Sequence, residues 1–168
     1  MIYVLIFFVK IIEVALMTLR VVLITKGEKL YGSIIGFFEV VVWLSLIGSV
    51  LVGIEEDPLR MVVYSIGFAV GNYVGSYIEE RLALGLMTIN IIATEENGKE
   101  LADILRSENI GVTSVDAEGR EKNRSLLIIH AKRKRKSEIL KIIENTEIPT
   151  VISVNDTKVI YGGYGIRK

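Results

Sequence analysis

Four ionisable side chains stand where hydrocarbon is expected. Lys10, Glu13 and Arg20 interrupt an apolar run over residues 2–25, and Glu39 interrupts the next. A charge at mid-bilayer costs roughly 2.5–3.5 kcal/mol on insertion scales, so such residues mark a partner helix, a water-filled cavity or an escape to headgroups. At 100° per residue, Lys10, Glu13 and Arg20 fall within an arc of about 80°, with Met17 on the same stripe. Lys10 and Glu13, three apart, are spaced to pair along one helix. Arg20 lies roughly 8 Å from one end of its run and Glu39 roughly 10 Å from the matching end of the next, which predicts an interhelical pair. Two readings stay open. The pairs could fix helix register and topology, with Arg20 snorkelling, or they could line a polar path or ligand site. Lys10 is the charge farthest from either interface.

A second set of charges is Lys132-Arg133-Lys134-Arg135-Lys136, five cations ending at the start of a helical pattern. They oppose a helix dipole and suit an anionic partner. The run is read as a solvated surface, as a contact for anionic lipid headgroups, or as a phosphate or nucleotide pocket with Arg133 and Arg135 as ligands. The ending Gly162-Gly163-Tyr164-Gly165 is either a flexible tail or a close backbone approach to a ligand with Tyr164 stacking on it. It lacks the strand-to-helix context of a phosphate loop.

Other chemistry is excluded by composition. The 168 residues contain no cysteine and one histidine, His130, so thiolate sites and a His-rich metal centre are ruled out. No nucleophile–base pair or paired-carboxylate site is legible. The chain is therefore expected to be no enzyme and to carry no cofactor or metal. The second half is too mildly basic for nucleic acid.

These charges must be positioned by helices. Residues 1–80 hold 5 Lys/Arg and 8 Asp/Glu, and residues 81–168 hold 15 and 12, so zero net charge conceals an apolar half and a charged half. Runs over 2–25, 33–54 and 59–78 are each long enough to cross a core of about 30 Å. The start lacks a basic region and a small-residue cleavage site, so the first run reads as a retained helix. Lys26 and Lys29 make the first loop basic, while Glu55, Glu56 and Asp57 make the second acidic. The positive-inside rule then places the protein in the cell membrane as a multi-pass chain, N-terminus outside and C-terminal half in the cytoplasm. Gly67, Gly71 and Gly75 form one small-residue row, and Ser45, Ser49 and Gly53 another; such rows let backbones approach closely in lipid. Three helices enclose charges poorly, so use of these rows between chains, in a homo-oligomer, is favoured. Asn72 adds polarity to the third span, and Glu79-Glu80-Arg81 reads as its exit.

The pattern then shortens. Strands are expected over 87–94, 112–118, 124–132 and 150–154, with a short fifth over 158–161. Asn97 and Glu100 look like a capping box for a helix ending near Asn109, and Ser137 could cap a second helix. The order β-α-β-β-α-β plus a terminal strand is the α+β ferredoxin-like arrangement. The expected organisation is a three-helix transmembrane domain over 1–81 and a ferredoxin-like cytosolic domain over 82–168. His130 sits in the third strand and reads as structural.

Glu13…Arg20, Glu39, Trp43, Gly67-Phe68-Ala69-Val70-Gly71-x-x-x-Gly75 and Glu79 resemble a family of uncharacterised bacterial three-span membrane proteins. Gly111-Val112-Thr113 and Val151-Ile152-Ser153-Val154-Asn155-Asp156…Val159-Ile160-Tyr161-Gly162-Gly163-Tyr164 resemble the C-terminal domain of YitT-type membrane proteins. That domain usually has a glycine-rich turn after its Gly-Val-Thr; here the segment ends Gly119-Arg120, with one glycine. The resemblance implies topology and domain fold, and brings Thr113 and Arg120 into the candidate ligand set. The function expected is a regulatory or sensory membrane protein whose cytosolic domain binds a small anionic, nucleotide-like ligand. The alternative is a subunit of a small oligomeric transporter or channel that uses the intramembrane charges.

Overall fold

The computed structural model describes residues 1–52, 55, 57–158 and 162. The chain forms two compact units, Met1–Ala83 and Leu84–Lys168.

The first unit is three helices, α1 (Ile2–Thr25), α2 (Lys29–Leu51) and α3 (Leu59–Leu82). All three are long and apolar enough to cross a membrane. Two bounds differ from the sequence reading. Helix α2 starts four residues early, at Lys29, and α3 runs through Glu79-Glu80-Arg81, ending where Ala83 adopts a left-handed φ of 43°. Polar residues at a helix end signal where hydrocarbon stops, not where hydrogen bonding stops.

Helix α1 is the hub. Both α2 and α3 pack along it and scarcely touch each other. The glycine row of α3 faces α1 within the chain, which corrects its expected use between chains. A Cβ on Gly71 would stand 2.7 Å from Val14 Cβ and 3.2 Å from Ile11 Cα, and one on Gly75 would stand 2.6 Å from Thr18 Oγ1. Without side chains the two helices reach backbone contact and gain dispersion energy along that row. On α2 the approach to α1 uses Gly32 and Gly36, and Ser45, which is exposed, donates to the Val41 carbonyl of its own helix at 2.8 Å. Gly53 and the Ser49 side chain lie outside the described residues.

The second unit is β1 (Leu86–Thr94), α4 (Glu95–Ser107), β2 (Val112–Glu118), β3 (Asn123–Lys132), a single 3-10 turn (Arg133–Arg135), α5 (Lys136–Asn145) and β4 (Val151–Thr157). The strands form an antiparallel sheet in the order β2-β3-β1-β4, the ferredoxin-like order. One face is the core. Met87, Ile89, Ile91, Leu127 and Ile129 alternate inward and are sealed by Leu101 and Leu105 of α4 and Ile139 and Ile143 of α5. Gly98 lets α4 settle on β3, since a Cβ there would meet Ser125 Cβ at 2.4 Å.

Local signals shifted by up to three residues. Thr94, not Asn97, caps α4, its Oγ1 accepting the Asn97 N–H at 3.3 Å. Thr94 ends an extended strand and so already has the non-helical backbone that a cap requires. Asn109, at φ 56°, turns the chain out of α4 before Gly111 is reached. Ser137 caps nothing, because α5 continues directly from the 3-10 turn. Asn155-Asp156, beyond the strand end expected at 154, lie within β4, held by pairing with Thr88 and Met87. Lys158 lies beyond β4, and 159–161 of the expected fifth strand are outside the described residues.

Candidate functional site

In the first unit, Lys10 and Glu13 are 3% and 4% exposed and form an ion pair. Glu13 Oε2 meets the ammonium but accepts no well-aligned hydrogen bond. Lys10 Nζ also donates to Tyr64 Oη of α3 at 2.8 Å, and stands 4.2 Å from the Tyr64 ring centroid and 5.3 Å from that of Phe68. The aromatic pair thus completes the solvation of the cation. Sequence reasoning missed Tyr64. The signal was available: a tyrosine mid-span is a hydroxyl that needs a partner.

The expected Arg20–Glu39 pair is present and bidentate, with Nε to Oε2 at 2.6 Å and Nη2 to Oε1 at 3.1 Å. Gly36, one turn before Glu39, leaves room for the arginine stem, since a Cβ there would lie 3.0 Å from Arg20 Cδ. Asn72 bonds its own helix, donating to the Phe68 carbonyl at 3.2 Å. At the other end of the bundle Tyr3 donates to Asp57 at 2.6 Å. That bond, helped by Arg60, holds the Asp57 carboxyl below its ordinary value.

The second unit separates the residues expected to share a ligand. Arg120 lies in the β2–β3 turn and Arg133 follows the far end of β3. Ten residues of strand, about 33 Å, lie between those ends. Thr113 sits on edge strand β2 opposite Ile128, between the two. Gly162 is exposed with φ 78°, and Gly163 and Tyr164 lie outside the described residues. Both arginines of the basic run face carboxylates: Arg133 meets Asp156 at 3.3 Å, and Arg135 meets Glu138 through two bonds of 3.0 and 2.6 Å. Arg135 holds the Glu138 carboxyl below its usual range. His130 is exposed on the uncovered sheet face, its Nδ1 2.9 Å from Thr88 Oγ1, which in turn lies 2.8 Å from Thr157 Oγ1. That is a cross-strand polar ladder, the structural role expected for it.

A different feature on the uncovered face has the form of a binding site. At the hairpin end a concavity of about 540 Å³ is lined by Ile92, Ala117, Gly119, Leu126, Pro149 and Val151, with Thr150, Glu118 and Arg124. Register explains the set: Ile92 pairs with Leu126 and with Val151, and Ala117 pairs with Arg124, so these side chains emerge on one face. Arg124 is half-buried and packs along Gly119, whose missing Cβ would otherwise collide with Arg124 Cγ at 2.8 Å. A smaller polar hollow, with Glu95, Asp116 and Asn123, lies on the other side of Arg124. Among the described residues, no group of three or more His, Asp or Glu is placed to hold a metal. Chemically, the larger concavity offers an apolar wall and one guanidinium, a combination suited to a flat or apolar body that carries an anion.

Comparison with known proteins places both halves. Residues 18–76 match the Domain of unknown function DUF5698, and residues 110–162 match DUF2179, described as an uncharacterized protein conserved in bacteria. A solved structure of a functionally unknown protein from Pediococcus pentosaceus aligns with 48% of this chain and all of its own, at 14% identity and a TM-score of 0.44. A UPF0316 protein of Clostridium botulinum strain Hall is 64% identical over 166 residues, covering 99% of this chain and 98% of the relative. A UPF0316 protein of Alkaliphilus metalliredigens is 36% identical, covering 96% and 92%. With whole-length relatives at these identities, the chain belongs to the UPF0316 family.

Proposed function

We propose that the protein is a membrane-anchored regulator whose C-terminal unit binds a small anionic ligand of nucleotide type and relays that state to the helical bundle. The bundle spans the cell membrane with its N-terminus outside, which leaves the C-terminal unit in the cytoplasm. The observation that carries the ligand half is the 540 Å³ concavity with Arg124 beside an apolar wall. The site therefore moves from the basic run, whose arginines are engaged by Asp156 and Glu138, to the hairpin end where Arg120 also lies. Three observations favour an anchor over the alternative of a transporter subunit. Lys10, Glu13, Arg20 and Glu39 find their partners inside one chain. The glycine row is occupied by α1. And α2 and α3 pack along α1 and scarcely against each other.

The test is calorimetry on the full chain in lipid nanodiscs against nucleotides and cyclic dinucleotides. Saturable binding weakened about tenfold or more by Arg124→Gln, the worth of a lost charge-assisted bond, supports the reading. No binding across the panel, or binding indifferent to Arg124, ends it. A homo-oligomer belongs to the same reading, and native mass spectrometry of the nanodisc complex showing monomer alone would remove it.

A further inference from the structure

We propose that the basic turn Lys132 to Lys136 is a docking surface for anionic lipid headgroups, which holds the C-terminal unit against the membrane it emerges from. The proposal rests on the membrane-anchored reading above and not on the ligand concavity.

The first support is where the fold puts the turn. Leu86, the first residue of β1, pairs with Lys132 on one side and with Thr157 on the other. The Arg133 N–H donates to the Gly85 carbonyl at 3.1 Å. The run is thereby fixed to the end of the sheet at which the chain enters from α3. Helix α3 ends at Leu82, and Ala83, Leu84 and Gly85 follow. Three residues reach at most about 11 Å. Covalent geometry alone keeps Gly85, and the backbone bonded to it, within that reach of a membrane-length helix.

The second support is charge. Lys132, Lys134 and Lys136 are exposed, while the two arginines between them meet carboxylates. Lys158, just beyond β4, adds a fourth exposed ammonium at the same end of the sheet. The hairpin end differs, since its cations are interspersed with Glu95, Asp116, Glu118 and Glu121. The unit is thus charge-polarised along its strands, with the positive end being the tethered one. Ammonium groups on flexible stems act as separate point charges, which suits a diffuse anionic surface better than a single phosphate held by a fork. Clusters of four to eight cations directly cytoplasmic of a span behave this way, each worth roughly a fivefold gain in docking.

The sequence has no cysteine, so a single Ser137→Cys in the full chain gives a unique attachment point for a fluorophore beside the turn. The labelled chain is placed in nanodiscs of phosphatidylcholine alone, or of an equal mixture with phosphatidylglycerol, each with a headgroup-attached quencher. Docking predicts stronger quenching in the anionic discs, reversed by salt. Exchanging Lys132, Lys134 and Lys136 together for glutamine should weaken docking roughly a hundredfold, and Lys134→Gln alone roughly fivefold. A label at Glu121→Cys, on the opposite turn, should not respond to lipid charge. Equal quenching in both discs, retention in the triple variant, an equal rise at Glu121, or displacement by millimolar inorganic phosphate with no dependence on lipid charge would each overturn the proposal. The two leaflets of a disc are identical, so the outcome is independent of cellular orientation. Failure to enter either disc would overturn the membrane reading and the docking together.

Discussion

The buried Lys10–Glu13 pair can be tested by a double-mutant cycle. Glu13→Leu leaves an ammonium in a site 3% exposed, facing Tyr64 and Phe68. Breaking a buried pair from one side costs about 3–5 kcal/mol in soluble proteins, because the remaining charge is uncompensated. Here the Tyr64 hydroxyl at 2.8 Å and the two rings stay in place and offset about 1–2 kcal/mol of that. The expected loss for Glu13→Leu alone is therefore about 2–3 kcal/mol. Lys10→Met in the same chain removes the stranded charge while roughly keeping the volume that packs on Gly67. The double variant should return to within about 1 kcal/mol of the parent, since replacing both members of a buried pair by apolar groups is often neutral. Lys10→Met alone strands the buried Glu13 carboxylate at about 3–5 kcal/mol, so the coupling energy across the cycle is at least about 4 kcal/mol, and Tyr64→Phe should cost about 1 kcal/mol in the parent and nothing in the double variant. The measurement is reversible unfolding in bilayers by steric trapping, with all variants in one lipid. A coupling below about 0.5 kcal/mol would refute the reasoning, because two charges in mutual contact inside a dry bundle cannot be energetically independent.

Gly71→Ile should separate α1 from α3, with a loss of at least about 2–3 kcal/mol in the same assay, because its Cβ would begin 2.7 Å from Val14 Cβ. Gly98→Ala should cost about 1–3 kcal/mol through its 2.4 Å approach to Ser125, and Ser125→Gly placed with it should recover most of that; thermal unfolding of the full chain followed by far-ultraviolet circular dichroism reads both. Thr94→Ala should lower stability by about 1 kcal/mol while Thr94→Ser should not, and hydrogen exchange at the Asn97 amide locates the effect at the start of α4. Arg135 holds the Glu138 carboxyl below its ordinary 4.5, so their pairing contributes above that pH and is lost as pH falls below it. Glu138→Gln should therefore slightly lower the stability of α5 at neutral pH, leave it nearly unchanged well below that pH and so flatten the acid limb, and hydrogen exchange across α5 at both pH values checks it.

What could be read from sequence was whatever depends on one element at a time. The helices of the first unit follow from apolar length, and the Arg20–Glu39 pair follows from matching each residue's distance to a shared loop. Tyr64 lies 54 residues from Lys10, and its position depends on the α1–α3 register, which the glycine row sets at atomic rather than sequence resolution. The same limit explains why that row was recognisable as a packing surface while its partner was not. In the second unit, alternation gave the strands, but Asn155-Asp156 favour turns locally and are overruled by ladder bonds to β1. The basic run was legible as charge, whereas the pairing of its Arg133 with Asp156 depends on β4 closing beside β1. The concavity near Arg124 draws on four strand ends and loops distant in sequence, and no single motif announces it.

The arrangement of charges in the bundle also bears on why a protein of this size would bury them at all. Replacing the pairs with leucine would cost little stability, so their retention is better explained by specificity. An all-apolar α1 could rotate or slide against α2 and α3, because lipid and leucine side chains are nearly equivalent partners. Arg20 bonded to Glu39 fixes α2, and Lys10 bonded to Tyr64 fixes α3, at points ten residues apart, about 15 Å along the same helix. Two pins at different heights define both rotation and register. If the bundle relays a signal from the second unit, these pins are where two registers would differ in energy. A Lys10→Met, Glu13→Leu chain that keeps its fold should then lose any ligand-dependent change in α1–α3 distance, measured between spin labels at Leu5 and Leu59. A change that survives in that variant would show that the buried charges set the resting structure and take no part in the relay.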